Sequence, residues 1–220
     1  TGIETPPVSQ ASLIPTRDLD DTDEPCPVRT GDGRWPNPLH ECPAADPGMV
    51  IRGDTWYAFT TGLRLYVSTD QGRSWTDRGT FVETPPGYVD AWAPEVYRIG
   101  TTWICYFSMR PGPGQYAKLF VATSKNLERG WTLREEPLGE DPTVSMIDAS
   151  MFQAPDGQRY LLYKEIGNRR IMIDRLSADG LTLAHEPVPI LNVTQDWEGN
   201  SVEAPTMVYR PKEPRYYLFY

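Results

Sequence analysis

The chain has 220 residues, 39% of them hydrophobic, enough for one substantial core. Gly and Pro are plentiful (18 and 22), the aromatics are mostly Trp and Tyr, and helical patterning is nearly absent, which suits many short strands joined by turns. A formal net charge of −9 with scattered Lys and Arg argues against a nucleic-acid or anionic-membrane partner, and no apolar run approaches the ~18 residues that span a bilayer.

Residues 1 to 44 are Pro-rich and acidic ("RDLDDTDEP") and read as an extended arm or surface loop. Within them "CPVRTGDGRWPNPLHEC" has little periodicity, and a disulfide between Cys26 and Cys42 would pin a loop that cannot build its own core. Two free thiols is the alternative. "TGIETPP" would suit a mature start after removal of a signal peptide. With the glycosylation sequon at Asn192, these features lean towards a secreted, extracellular protein.

From residue 45 to 220 one layout recurs: a small or acidic residue with Pro or Ala, an apolar pair, a turn, then an aromatic strand. It appears in "ADPGMVIRGDTWYAFTT", "WAPEVYRIGTTWICYFS", "DASMFQAPDGQRYLLYK" and "EAPTMVYRPKEPRYYLFY". Met49, Val96, Met151 and Met207 stand 47, 55 and 56 residues apart. About fifty residues and four short strands per unit is the size of a β-propeller blade. The expected fold is therefore all-β, with blades 1 to 3 and the start of blade 4 in residues 45–220. A propeller closes its ring to hide strand edges, so a second chain segment completing it is expected. Cys105, in "TTWICYFS", reads as inert core.

In the first unit "VSTDQGRSWTDRG" places Ser68, Asp70, Gly72 and Trp75 in the S-x-D-x-G-x-x-W pattern known as an Asp-box. Asp followed closely by Gly is turn chemistry, and the flanks alternate as strands do. The box is expected to shape the outer hairpin of blade 1 and to take no part in chemistry.

The repeat brings Asp46, Asp148 and Glu203 to or beside one point of three different blades, while the second blade has Ala93 there. Inner strands of a propeller line a central cavity, so three acids converge on its mouth. Glycosidic hydrolysis needs that: one carboxylate activates water and one carboxylic acid protonates the leaving oxygen. A third negative charge is expected to raise the pKa of the acid and keep it protonated. Trp92 and Trp197 stand near this mouth as rings that could stack on a sugar, with Asp90 and Glu95 as further substrate contacts. His40 and His185 are too isolated for a metal site.

These four segments resemble glycoside hydrolase family 43, the five-bladed propellers that act on arabinan, xylan and related side chains. The resemblance covers about residues 44 to 220, and implies that the chain supplies about three and a half of the five blades. It implies Asp46 in "ADPGMV" as general base, Asp148 in "IDASMF" as pKa modulator and orienter, and Glu203 in "VEAPTM" as general acid. Ala204 departs from the commoner Gly. The family inverts, so a single displacement on an oligo- or polysaccharide is implied, with no cofactor required. Some relatives hold a structural calcium at the axis, but no residues here form a ligand cluster. A sialidase would need an Arg cluster, and Arg52, Arg64, Arg98 and Arg110 do not stand at strand starts. A non-catalytic carbohydrate-binding propeller would have no need of three axial acids.

Overall fold

Short alternating segments between Gly- and Asp-containing turns fold as antiparallel hairpins, and they do so throughout this chain. The computed structural model describes residues 44–139 and 141–220. Cys26, Cys42 and His40, with almost all of the expected arm, lie outside the described residues. Strands β1 (Gly48–Arg52), β2 (Thr55–Thr60), β3 (Arg64–Ser68) and β4 (Thr76–Thr80) pair in sequence order as one sheet. A second sheet holds β5 (Val89–Ile99), β6 (Thr102–Arg110), β7 (Lys118–Ser124) and β8 (Thr132–Leu133). The third holds β9 (Met146–Gln153), β10 (Arg159–Glu165), β11 (Arg170–Leu176) and β12 (Val188–Asn192), again in order. A hairpin of β13 (Thr206–Arg210) and β14 (Arg215–Phe219) follows, and among the described residues helix is limited to a 3-10 turn at Asp196–Glu198. The first strands of successive units pack side by side, β1 on β5, β5 on β9 and β9 on β13. The fold is a β-propeller: three four-stranded blades and the opening hairpin of a fourth.

Burial explains why the blades read differently in sequence. Blade 2 is covered on both faces, so β6 is a nearly continuous apolar run. Its Cys105, Phe107 and Met109 enter a core shared with Phe59, Leu63 and Leu65 of blade 1, while Ile104 and Tyr106 enter another shared with Ala149, Leu161 and Met172 of blade 3. Cys105 is a free, buried thiol, as expected of core. Each fully buried Phe or Leu is worth about 1.5–3 kcal/mol, against about 1 kcal/mol for a typical hydrogen bond. The two inter-blade cores, more than any turn, hold the blades together.

The Asp-box forms the β3–β4 hairpin, with the Asp70 carboxylate turned inward on its own loop. Asp70 Oδ1 accepts from the Ser68 hydroxyl (2.7 Å) and the Ser74 N–H (2.8 Å), and Oδ2 from the Ser74 hydroxyl (2.6 Å). These bonds hold the Asp70 carboxyl at a pKa of about 2. Gly72, at φ 83°, leaves no room for a side chain: a Cβ there would meet the Trp56 ring at 2.9 Å. Trp75 is buried beneath the turn beside Tyr66. Asp70→Ala is therefore expected to lower the melting temperature by a few degrees with turnover per folded molecule unchanged. Parallel thermal melts and active-site-normalised rates check this; a large fall in turnover at an unchanged melting temperature would return the box to the site.

Candidate active site

At the head of each unit the backbone makes the same unusual move. Asp46, Ala93, Asp148 and Ala204 adopt left-handed φ values of 50°, 47°, 57° and 49°. Each stands three residues before its unit's Met49, Val96, Met151 or Met207. In blades 2 and 3 the ladder register slips at this point, so that Phe107 faces Ala93 and Pro94, and Tyr163 faces Asp148 and Ala149. An extra residue of this kind is a β-bulge, which bends the strand and re-aims a side chain. In blade 3 the bulge falls on Asp148 itself, while Asp46 takes the same left-handed turn just ahead of β1. The left-handed φ of Ala204 is the conformation that favours Gly at this point, which this chain fills with Ala. Glu203 precedes the left-handed residue by one, so its carboxyl enters from a different backbone position than the two aspartates.

Hydrogen bonds across the blades orient these acids. The Ala93 N–H of blade 2 donates to Thr61 Oγ1 (3.1 Å), whose hydroxyl donates to Asp46 Oδ2 (2.7 Å). Asp148 Oδ2 accepts from the Ala204 N–H of the fourth unit (3.1 Å). Glu203 Oε1 accepts from Lys164 Nζ at 2.5 Å and from the Ser201 hydroxyl at 2.6 Å. Asp148 is half-buried, and this burial raises its pKa; the Ala204 N–H opposes the rise, and the charges of Glu203 and Asp46 add to it. The three predicted carboxylates thus share one electrostatic neighbourhood.

One electrostatic expectation is corrected. The acid was expected to have a raised pKa, but the Lys164 ammonium and then the Ser201 hydroxyl hold Glu203 below the usual glutamate range. Asp148 is the carboxyl that is raised. Lys164 reverses the sign because its charge-assisted bond at 2.5 Å favours the carboxylate and outweighs the burial that opposes it.

The remaining predicted residues divide. Trp92, on the bulged opening of β5, is half-buried and has the Arg110 guanidinium 4.6 Å from its ring centre. Arg110 also pairs with Asp90 at 3.4 Å, so Asp90 is tied to the Trp92 cluster. Glu95 is half-buried on β5, and burial pushes its pKa up to about 7. Trp197 lies in the 3-10 turn, 74% exposed, stacked on Tyr220 with ring centres 6.0 Å apart. Asn192 is exposed at the end of β12. Arg64 does open a strand, β3, against expectation, but it pairs with Asp77 on the outer side of blade 1. Arg52 and Arg98 flank the ring of Trp103. No arginine cluster of the sialidase kind forms among the described residues. Among those residues no group of three or more His, Cys, Asp or Glu is placed to hold a metal.

Thr61, Ser201, Arg110 and Lys164 were missed in the sequence reading. Lys164 carried a signal: the repeat segments end in Thr61, Ser108 and Lys164, two small hydroxyls and then a lysine.

Comparison with known proteins agrees with this fold. A thermostable family-43 glycoside hydrolase superposes with a TM-score of 0.67 at 25% identity, over 80% of this chain and 62% of that one. An exo-1,5-α-L-arabinanase from a bovine ruminal metagenomic library superposes with a TM-score of 0.65, also at 25% identity, over 80% and 63%. In sequence, the extracellular endo-α-(1→5)-L-arabinanase 1 of Bacillus subtilis is 27% identical over 186 residues, 75% of this chain and 55% of that protein. The putative β-xylosidase of Escherichia coli is 26% identical over 141 residues, 56% and 25% respectively. The chain thus spans less than two thirds of the length of each of these relatives. The family model described as glycosyl hydrolases family 43 matches residues 35–220, and the chain belongs to that family.

Proposed function

We propose that this chain carries the catalytic centre of a secreted, inverting glycoside hydrolase acting on arabinan or related side chains of plant cell-wall polysaccharides. The observation that carries the proposal is that Asp46, Asp148 and Glu203, at the heads of three units, fall in one charged neighbourhood, with Asp148 bonded to the N–H of Ala204 next to Glu203. Asp46 has one oxygen held by Thr61, and acts as base on a water molecule. Glu203 protonates the leaving oxygen, and Asp148 tunes and orients that acid. Inversion asks for base and acid roughly 6.5–9.5 Å apart, with the water between. A sugar seated over Glu203, whose side chain is 55% exposed, would strip water from it and raise its proton affinity. The proton transfers need no cofactor. Trp92, Asp90, Glu95 and Trp197 serve as sugar contacts. Arabinan stands first because two of the relatives above are arabinanases; the xylosidase relative keeps xylosyl linkages as the second reading.

A panel of nitrophenyl arabinofuranoside, xyloside and galactoside, with arabinan and xylan, tests the assignment. Release from arabinan with an inverted first product, read by proton NMR, is expected. Binding to the polymers with no release from any of them would support a non-catalytic carbohydrate-binding propeller instead.

Asp148→Asn keeps an oxygen to accept the Ala204 N–H but loses the charge. Without that negative neighbour Glu203 binds its proton less readily. The rate is expected to fall, and the limb of the pH–rate profile that Glu203 controls should move to lower pH. An unmoved limb would remove Asp148 from the role of modulator.

A further inference from the structure

Lysine is a poor choice for a buried position unless its charge is answered. Lys164 is 5% exposed, on the second strand of blade 3. Its counterparts, each opposite the residue before the left-handed position of its blade, are Thr61, just past β2, and Ser108, within β6. Ser108 is fully buried with no hydrogen-bond partner for its hydroxyl. Thr61 reaches the neighbouring blade and holds Asp46. Lys164 makes the same reach with a longer, charged arm. Its Nζ donates to Glu203 Oε1 (2.5 Å) and to Ser201 Oγ (2.6 Å), and Ser201 in turn donates to Oε1 (2.6 Å). Both bonds fall on one carboxylate oxygen, and Oε2 carries neither.

We propose that Lys164 is a positioning residue for the catalytic acid: with Ser201 it occupies Oε1, so that the proton given to the leaving group is carried on Oε2. The proposal rests on the reading of Glu203 as the acid. In the step, the Oε2–H bond breaks and the proton passes to the glycosidic oxygen. The electron pair of the C–O bond departs with that oxygen, as water, losing a proton to Asp46, bonds to the sugar carbon. Glu203 is left as a carboxylate facing the Lys164 ammonium. Lys164 therefore favours the product state of the acid, which strengthens it as a donor. The charged groups around Glu203 are Lys164 from β10 and Asp148 from β9, with Asp46 beyond from blade 1.

The test is Lys164→Met in the full chain, which keeps the buried aliphatic stem, with Ser201→Ala as a second variant that leaves β10 intact. Two substrates are compared: the natural polysaccharide, and an aryl glycoside whose leaving group needs no proton. With Lys164→Met, turnover of the polysaccharide is expected to fall about tenfold or more, part of the 10²–10⁴ that general acid catalysis supplies, with the aryl glycoside little affected. The pH limb that the aryl glycoside lacks should move to higher pH, because the cation favouring the carboxylate has gone. Ser201→Ala should shift the same limb in the same direction by less. Equal losses on both substrates with an unmoved limb, in whichever variant folds, would make Lys164 a structural tie between units and overturn the proposal. Glu203→Gln is run alongside. If it keeps full activity on the polysaccharide, the acid itself is misassigned; if it loses activity while the limb in the Lys164 and Ser201 variants stays still, only the role of Lys164 fails.

Discussion

Asp46→Ala is expected to cut turnover of the natural substrate by about 10²–10⁴-fold, the range a positioned general base contributes, and to leave the fold intact. The second half of that expectation is unusual for a residue at φ 50°, where a side chain is normally strained. Here the repeat supplies its own control. Ala93 and Ala204 already occupy the equivalent left-handed positions at φ 47° and 49°, so an alanine at position 46 asks the backbone for nothing new. What it removes is a carboxylate and the acceptor of the Thr61 hydroxyl. Thr61 is still engaged by the Ala93 N–H and Gly62 N–H still donates to the Ala91 carbonyl, so the joint between blades 1 and 2 keeps these bonds. Asp46→Asn separates the effects further, since it can accept from Thr61 yet cannot take a proton from water. Both variants should melt close to the parent and both should be inactive. Near-parental turnover in either one sinks the assignment of Asp46 as base.

Much of this architecture is readable from the chain because it is local or periodic. The Asp-box can be read from Ser68, Asp70, Gly72 and Trp75, since a turn's hydrogen bonds join near neighbours. The blade period shows through Met49, Val96, Met151 and Met207, because each inner strand must enter the same kind of core. The two aspartates follow from that period once one of them is recognised. The link between Lys164 and Glu203 does not. Thirty-nine residues separate the two, and apolar patterning records which positions are buried without recording where a flexible four-carbon side chain ends. Missing that lysine reversed the expected direction of the Glu203 pKa. Arg110 over Trp92 was missed for the same reason: the guanidinium arrives from β6, and nothing in "WAPEV" announces it.

Glu203→Gln is expected to be nearly silent on a substrate with a good leaving group and about 10²–10⁴-fold slower on the polysaccharide. The glutamine keeps Oε1, so Lys164 and Ser201 retain their acceptor and the buried ammonium is not stranded. Glu203→Ala differs in this respect. It leaves the Lys164 charge, 5% exposed, with only the Ser201 hydroxyl to answer it, and an uncompensated buried charge is costly. The alanine variant should therefore melt below the glutamine variant, and part of its lost activity would report instability. Chemistry is isolated by the glutamine form. An alkoxide leaving from a polysaccharide must be protonated as the bond breaks, and an amide cannot supply that proton. A nitrophenolate leaves unaided, so the same enzyme should turn it over at a rate close to the parent, with the limb of the pH profile due to Glu203 gone. Equal losses on both substrates would place Glu203 in sugar binding, and the proton donor would have to be sought among the other acids at this mouth, Asp148 first.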